Sequence, residues 1–279
     1  MERSTGKTAL VTGASSGIGK ATVVALLKEG YEVFASARRI ERMASLEAAG
    51  AKTIFLDLTN EASIEAVIDA VKRAAGRLDV LVNNAGYGCF GALEDVPLEQ
   101  ARRQCEVNLF GLARLCQLVL PIMRQQGSGR IVNVTSMAGK FGEPFAAWYR
   151  ATKFAVEGLS DCLRMETAPF GIRVIVIEPG TIRTEFMRLA SESLLRASGG
   201  TAYGEYAQRH AKMLARGEAS KVPSPPETVA KTIVHCLRVE RPKARYASGA
   251  AARPLLFLRR VLSDRMFDWL MWRLSQSFG

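Results

Sequence analysis

Histidine is scarce in this chain: only His210 and His235 occur in 279 residues, too few for a histidine-rich zinc site. Cysteine is nearly as sparse. Cys89, Cys105, Cys116, Cys162 and Cys236 are odd in number, scattered and without a C-x-x-C pair, which excludes a disulfide framework or a thiolate metal centre and leaves reduced, mostly structural thiols. No metal is therefore expected. No apolar run reaches the roughly 18 residues that a membrane-spanning helix needs. The first strand begins near Thr8, so an N-terminal leader is not expected, and the chain reads as cytoplasmic. Internal repeats and low-complexity tracts are also lacking, and no linker divides the first 180 residues.

Hydrophobic residues make up 48% of the chain and charged ones 23%, which suits one α/β domain with a full core. Short apolar runs at Thr8–Val11, Glu32–Ala35, Thr53–Leu56, Leu78–Val82, Arg130–Val134 and Arg173–Ile177 predict strands. Between them, helical patterns run over Lys20–Glu29, through Ala49, over Ala62–Ala75, from Leu98 to about Gln125 and from Ala147 onward. Such alternation predicts a doubly wound parallel sheet with helices on both faces. The pattern changes over 184–226, punctuated by Gly199-Gly200 and Pro223-Ser224-Pro225-Pro226. This predicts a substrate lid of short helical pieces, after which a helix at Glu227–Leu237 and an edge strand at Arg245–Ala247 complete the domain.

The chemistry lies in two stretches. Thr12-Gly13-Ala14-Ser15-Ser16-Gly17-Ile18-Gly19 follows the first strand, where a glycine turn lets backbone N–H groups and a helix N-terminus approach a pyrophosphate. Tyr149-Arg150-Ala151-Thr152-Lys153 places Tyr149 and Lys153 four apart, on one helix face. An ammonium beside a phenol favours the phenolate, so Lys153 is expected to lower the Tyr149 pKa and fit it for proton transfer to or from a carbonyl or hydroxyl oxygen. Ser136 is placed to hydrogen-bond that same oxygen.

Cofactor candidates recur at the ends of the other strands. The second strand ends in Ser36-Ala37-Arg38-Arg39, with no carboxylate to bind a ribose 2′-hydroxyl. Arg38 and Arg39 instead suit a 2′-phosphate, which selects NADP over NAD. Asp57 and Leu58 follow the third strand, with Asp57 an acceptor for an adenine amino group. Asn84-Ala85-Gly86 follows the fourth, as a small turn under the adenosine, and Pro179-Gly180, Ile182 and Thr184 follow the sixth.

In combination and order, TGASSGIG, NNAG, Asn108 in Val107-Asn108, Ser136, YRATK and PGTIRT resemble the short-chain dehydrogenase/reductase family over almost the whole chain. The resemblance implies a seven-stranded parallel Rossmann sheet, with Tyr149 as general acid/base and Ser136 holding the reacting oxygen. It also implies that Lys153 binds the nicotinamide ribose and that Asn108 holds a water in the proton relay. Lys153-Phe154-Ala155-Val156-Glu157-Gly158-Leu159, Arg245-Tyr246 and Pro254-Leu255-Leu256 are similar to the hydroxysteroid and retinol dehydrogenase branch. Arg150 departs from the family, which usually has a small residue there; pointing inward, it would obstruct substrate access.

Phe141, Pro144, Phe145 and Trp148 ahead of the tyrosine, with Phe186 and Met187 in the lid, suit an apolar cavity and a steroid-, retinoid- or lipid-like alcohol or ketone. A 3-oxoacyl thioester is the close rival substrate. A non-catalytic NADP(H) sensor is the rival function, although a sensor has no need of the Asn108–Ser136–Tyr149–Lys153 set. A homodimer or homotetramer is expected.

The net charge is +11, and residues 241–279 hold eight Lys and Arg against Asp264 and Asp268, a net +6. Within the basic extension 253–279, Leu255, Leu258, Leu262, Met266, Trp269 and Leu270 recur at helical spacing, with Ser263 placed to cap a second helix. Apolar residues so interleaved read as a packing face and not a nucleic-acid surface. The stripe needs a cover: its own domain, a partner subunit or, as a peripheral contact, a membrane surface.

Overall fold

The computed structural model describes residues 6–219 and 222–276, the side chains of 217–219 excepted. Seven strands form one sheet: β1 (Thr8–Thr12), β2 (Glu32–Ala37), β3 (Lys52–Phe55), β4 (Val80–Asn83), β5 (Gly129–Val134), β6 (Ile172–Pro179) and β7 (Arg245–Ser248). Their order is β3-β2-β1-β4-β5-β6-β7, and every pairing is parallel. The order reverses between β1 and β4, which opens a crevice at their carboxyl ends.

Alternate strand residues serve opposite layers. Ala9 and Val11 face a core completed by Val23 and Leu26 of α1 (Gly17–Lys28), with α2 (Ala44–Ala48) at its margin. Leu10 faces the other core, filled by Ile64 and Val67 of α3 (Glu61–Ala75). Sides of a pleated strand alternate with period two, so continuous apolar runs such as TALV are what a sheet covered on both faces requires.

The predicted helix from Leu98 is interrupted. α4 (Leu98–Cys105) passes through one π-helical turn at Glu106–Phe110 into α5 (Gly111–Gln126). Among the described residues this stretch, Leu98–Gln126, is long and apolar enough by composition to cross a membrane, where the sequence predicts no such span. Leu112, Leu115, Val119 and Met123 on it pack into the second core beside Val156 and Leu163 of α6 (Ala147–Thr167).

The lid region also departs from the short pieces expected. α7 (Phe186–Ser198) and α8 (Gly204–Ala219) are full helices that close a separate cluster with Phe90, Phe145 and Ala146. α9 (Pro226–Arg238) returns to the first core through Val229 and Ile233. In the extension, α10 (Ala252–Val261) and α11 (Asp264–Gln276) break directly around Ser263. The inward residues of α11 are Phe267 and Met271, while Met266 and Trp269 of the predicted stripe face outward. The stripe therefore splits. Leu255, Leu258 and Leu262 pack with Phe267 against Met137 and Phe141, because the break at Ser263 rotates the second helix relative to the first.

Candidate active site and cofactor cleft

Tyr149 and Lys153 lie one turn apart on α6, with the Lys153 ammonium 5.8 Å from the tyrosine ring centre. Lys153 is buried and its Nζ donates to the Val134 carbonyl at 3.0 Å. Burial pushes its pKa down to about 8, partly opposed by Glu157 one turn further along. Ser136 begins the 3-10 turn Met137–Gly139, accepts from the Ala138 N–H at 3.1 Å, donates to the Pro179 carbonyl at 3.4 Å and lies beside the Tyr149 side chain.

The expected lowering of the Tyr149 pKa is not what its surroundings give. Burial raises it, and Ser136 beside it only partly offsets this. The cause is aromatic: the Phe186 and Phe90 rings lie 5.1 and 5.9 Å from that of Tyr149, and a phenolate is poorly solvated beside them.

Asn108 sits in the π-helical turn, a distortion that often marks a functional position. Its Oδ1 accepts from the Tyr87 N–H at 3.1 Å, and its Nδ2 donates to the Tyr87 carbonyl at 2.9 Å and to Thr152 Oγ1 at 3.2 Å. The Thr152 hydroxyl in turn donates to the Tyr149 carbonyl at 2.8 Å, so Asn108 is joined to the tyrosine's own helical turn. Gly86 admits this approach: a Cβ there would lie 3.1 Å from Asn108 Oδ1 and 3.8 Å from Lys153 Nζ. The four catalytic candidates thus meet in one place.

The cofactor candidates line the carboxyl ends of the strands. In the β1–α1 turn, Gly13 and Gly17 take φ of +67° and +51°, and a Cβ on Gly19 would strike the Gly13 carbonyl at 2.3 Å. Ser16 makes no side-chain cap, and the first turn of α1 holds no acid, so its amide donors are directed at whatever anion lies beyond. These features fit a dinucleotide pyrophosphate. Ile18 is partly buried and packs on the first core. Thr184 faces the turn from the opposite side, its Cγ2 2.9 Å from where a Gly17 Cβ would stand.

Other candidates also have local partners. The Asn84 side chain donates to the Thr12 carbonyl at 3.0 Å, while its own N–H and that of Ala85 donate to the Thr12 hydroxyl, each at 3.0 Å. It splints the glycine turn to β4. Asp57 is occupied locally, its Oδ1 accepting from the Thr59 N–H and hydroxyl at 3.0 and 2.9 Å. Burial would raise its pKa, but these bonds, with Arg38 and Arg103 nearby, hold it below the usual range. The Leu58 and Ile182 side chains are buried in the two cores. Gly180 passes so close to the β7 end that a Cβ would lie 1.9 Å from the Ala250 carbonyl.

Arg38 is exposed at the end of β2, and Arg39 donates to Ser15 Oγ at 3.4 Å. Glu185, just before α7, pairs with Arg42 at 3.0 Å and Arg39 at 3.7 Å. Sequence reasoning missed Arg42 and Glu185 because they are 143 positions apart, although Arg42 lies only one 3-10 turn beyond Arg39. It also missed Phe90 and Thr152, the latter inside the quoted YRATK motif.

Arg150 turns away from the cleft. It donates to the Phe141 carbonyl at 3.0 Å, pairs with Glu143 and lies 4.6 Å over the Phe141 ring. Phe141 itself packs 5.0 Å from Phe267 and lies outside the predicted cavity wall. Glu143 also approaches the buried His210 of α8 at 3.8 Å; burial lowers the His210 pKa and keeps the ring neutral.

Residues 7–194 match the family described as short chain dehydrogenase. The chain is similar to a 3-ketodihydrosphingosine reductase of Bacteroides thetaiotaomicron, 40% identical over 63% of this chain and 64% of the relative. It is also similar to an NADPH-dependent 3-dehydrocapnine reductase of Ornithobacterium rhinotracheale, 33% identical over 95% and 96%. Among solved structures, a short-chain dehydrogenase from Streptomyces avermitilis superposes with a TM-score of 0.78 at 37% identity, covering 92% of each chain.

Proposed function

Because the chain belongs to the short-chain dehydrogenase family, we propose that it uses NADP(H) to interconvert an alcohol and its carbonyl on an apolar, lipid-like substrate, with Tyr149 as general acid/base. A nicotinamide dinucleotide and oxidoreductase chemistry go with the family. The observation that carries the reading is Ser136 beside Tyr149 under an aromatic lid, with Lys153 one turn away.

In the reducing direction, Ser136 and Tyr149 bind the carbonyl oxygen and orient its carbon toward the cleft. Tyr149 donates its phenolic proton as negative charge develops on that oxygen, and Ser136 keeps a hydrogen bond to it. The raised phenol pKa keeps the proton in place until it is needed. Lys153, held by the Val134 carbonyl beside Gly86, supplies positive charge 5.8 Å from the centre of the Tyr149 ring. Asn108, through Thr152, fixes the backbone of the Tyr149 turn. The nicotinamide, when bound, supplies or accepts the hydride.

NADP preference is supported by Arg38 and Arg39 at a strand end that has no acid, and by the NADPH-dependent relative. Phe90, Phe186 and Leu194 around Tyr149 support an apolar substrate body. The relatives named as a 3-ketodihydrosphingosine reductase and a 3-dehydrocapnine reductase support a keto group carried on such a body. Exposed Phe110 at the end of the π-helical turn, with Phe154 and Met165 on α6, suits a second copy of the chain.

The test is NADPH consumption with long-chain 3-ketones, steroids, retinoids and 3-oxoacyl thioesters. Tyr149→Phe should lose about 10²–10⁴-fold in kcat on any accepted ketone while NADPH affinity stays within a factor of about two, since the ring still packs. Near-native turnover in a folded variant would remove Tyr149 from this role. Turnover confined to the thioesters would replace the lipid-ketone reading with the acyl one.

A further inference from the structure

α10 and α11 are covered on one side only. Phe267 and Met271 close against the domain, while the other side leaves Phe257 64%, Val261 59%, Met266 57% and Trp269 60% exposed. A shallow groove of about 400 Å³ between Leu262, Arg265, Met266, Trp269 and Leu270 belongs to this face. Large apolar side chains gathered in this way on adjoining helices mark a contact surface.

The charge around them says what kind. Arg253, Arg260, Arg265 and Arg273 are exposed among these apolar groups, and Arg273 stacks 5.4 Å from the Trp269 ring. Of the two acids on these helices, Asp264 is paired with Arg259 at 2.6 Å, which leaves Asp268 as the opposing charge. A two-fold contact with a second copy would set this arginine-rich patch against itself. Tryptophan, phenylalanine and methionine among arginines instead suit the boundary between anionic headgroups and acyl chains.

We propose that this outer face of α10 and α11 rests on the surface of an anionic lipid bilayer. α10 packs on the 3-10 turn that follows Ser136, and α11 on lid helix α8, where Tyr206 and Trp272 rings lie 5.6 Å apart. Membrane contact therefore sits at the edge of the molecule that carries the active site, next to the lid. The inference rests on the exposed face and its charge, not on the substrate reading.

The experiment is cosedimentation of the full chain with vesicles of phosphatidylcholine alone and of equal parts phosphatidylcholine and phosphatidylglycerol, at low and high salt. The native protein should bind the anionic vesicles, lose binding at high salt, and shift its tryptophan fluorescence to the blue as Trp269 leaves water. The double variant Arg260→Glu/Arg265→Glu should partition at least about thirtyfold more weakly, the loss expected from removing two arginines alone. Trp269→Ser should also weaken partitioning, and both variants should keep the native melting temperature and size in gel filtration. No binding by the native protein, equal binding to both vesicle types, or undiminished binding by the variants would overturn the proposal. A change of oligomeric state in the variants with vesicle binding intact would assign the face to a second copy.

Discussion

Lys153 carries an ammonium into a place where burial disfavours it, and this has a measurable signature. Its pKa is about 8 in the folded protein against 10.5 unperturbed. Between these values the unfolded chain holds the extra proton, so stability rises as pH climbs through that window and is diminished in full below it. Lys153→Met should therefore melt no lower than the native protein at pH 7, and the native protein should gain on it between pH 8 and 10.5. Turnover should fall at least about 10²-fold, the sign of a residue kept for chemistry at the expense of stability. A lower melting temperature at pH 7 would show that the hydrogen bond to Val134 outweighs the buried charge. Arg38 makes the complementary case for cofactor choice. Arg38→Ala should weaken NADPH by about 1.5–3 kcal/mol while leaving NADH within a factor of about two, because only NADPH offers a 2′-phosphate to a guanidinium. Equal losses, measured by fluorescence titration, would remove Arg38 from the phosphate site.

The elements beyond the central sheet do different work from those within it. α7 and α8 exist as full helices because Ala190, Leu194, Ala207 and Ala211 give them facing apolar stripes that bury each other over Phe90 and Phe145. α11 is held by fewer groups, chiefly Phe267, whose ring meets Phe141 in an edge-on contact 5.0 Å away. Phe267→Ala should cost about 3–5 kcal/mol, whereas Met266→Ala one residue away should change stability by no more than about 0.5 kcal/mol. Chemical denaturation of the two variants tests which face is inward. Similar small effects for both would mean that the tail is only loosely docked.

At the scale of the molecule, two halves of one sheet supply the cleft: the glycine turn, Arg38 and Asp57 come from β1–β3, and the proposed catalytic group from β4–β6. A ligand spanning both halves ties together strands that meet at the β1/β4 reversal, so binding should be felt as global stability. NADP at 100 times its dissociation constant adds about 2.7 kcal/mol, or roughly 5–10 °C in melting temperature for a domain of this size. NAD at the same concentration should give a markedly smaller shift if Arg38 selects the cofactor. Equal shifts by differential scanning fluorimetry would mean that the β2 end does not discriminate.

Local pattern alone determined the alternation of strands and helices, the glycine turn after β1 and the Tyr149–Lys153 pair, because each depends on spacings of a few residues along the chain. The end of the first stripe at Ser263 was legible for the same reason. What lay beyond sequence were quantities set by surfaces that meet across long separations. The direction of the Tyr149 pKa follows from Phe90 and Phe186 closing on the ring, and the partners of Asn84 and Asp57 from which neighbour reached each polar group first. Arg42 met Glu185 only through the docking of the lid, and Phe267 rather than Met266 turned inward only because the break after α10 set the rotation of α11. Spacing fixes which residues share a face; packing decides what that face touches, and desolvation by that contact decides its charge.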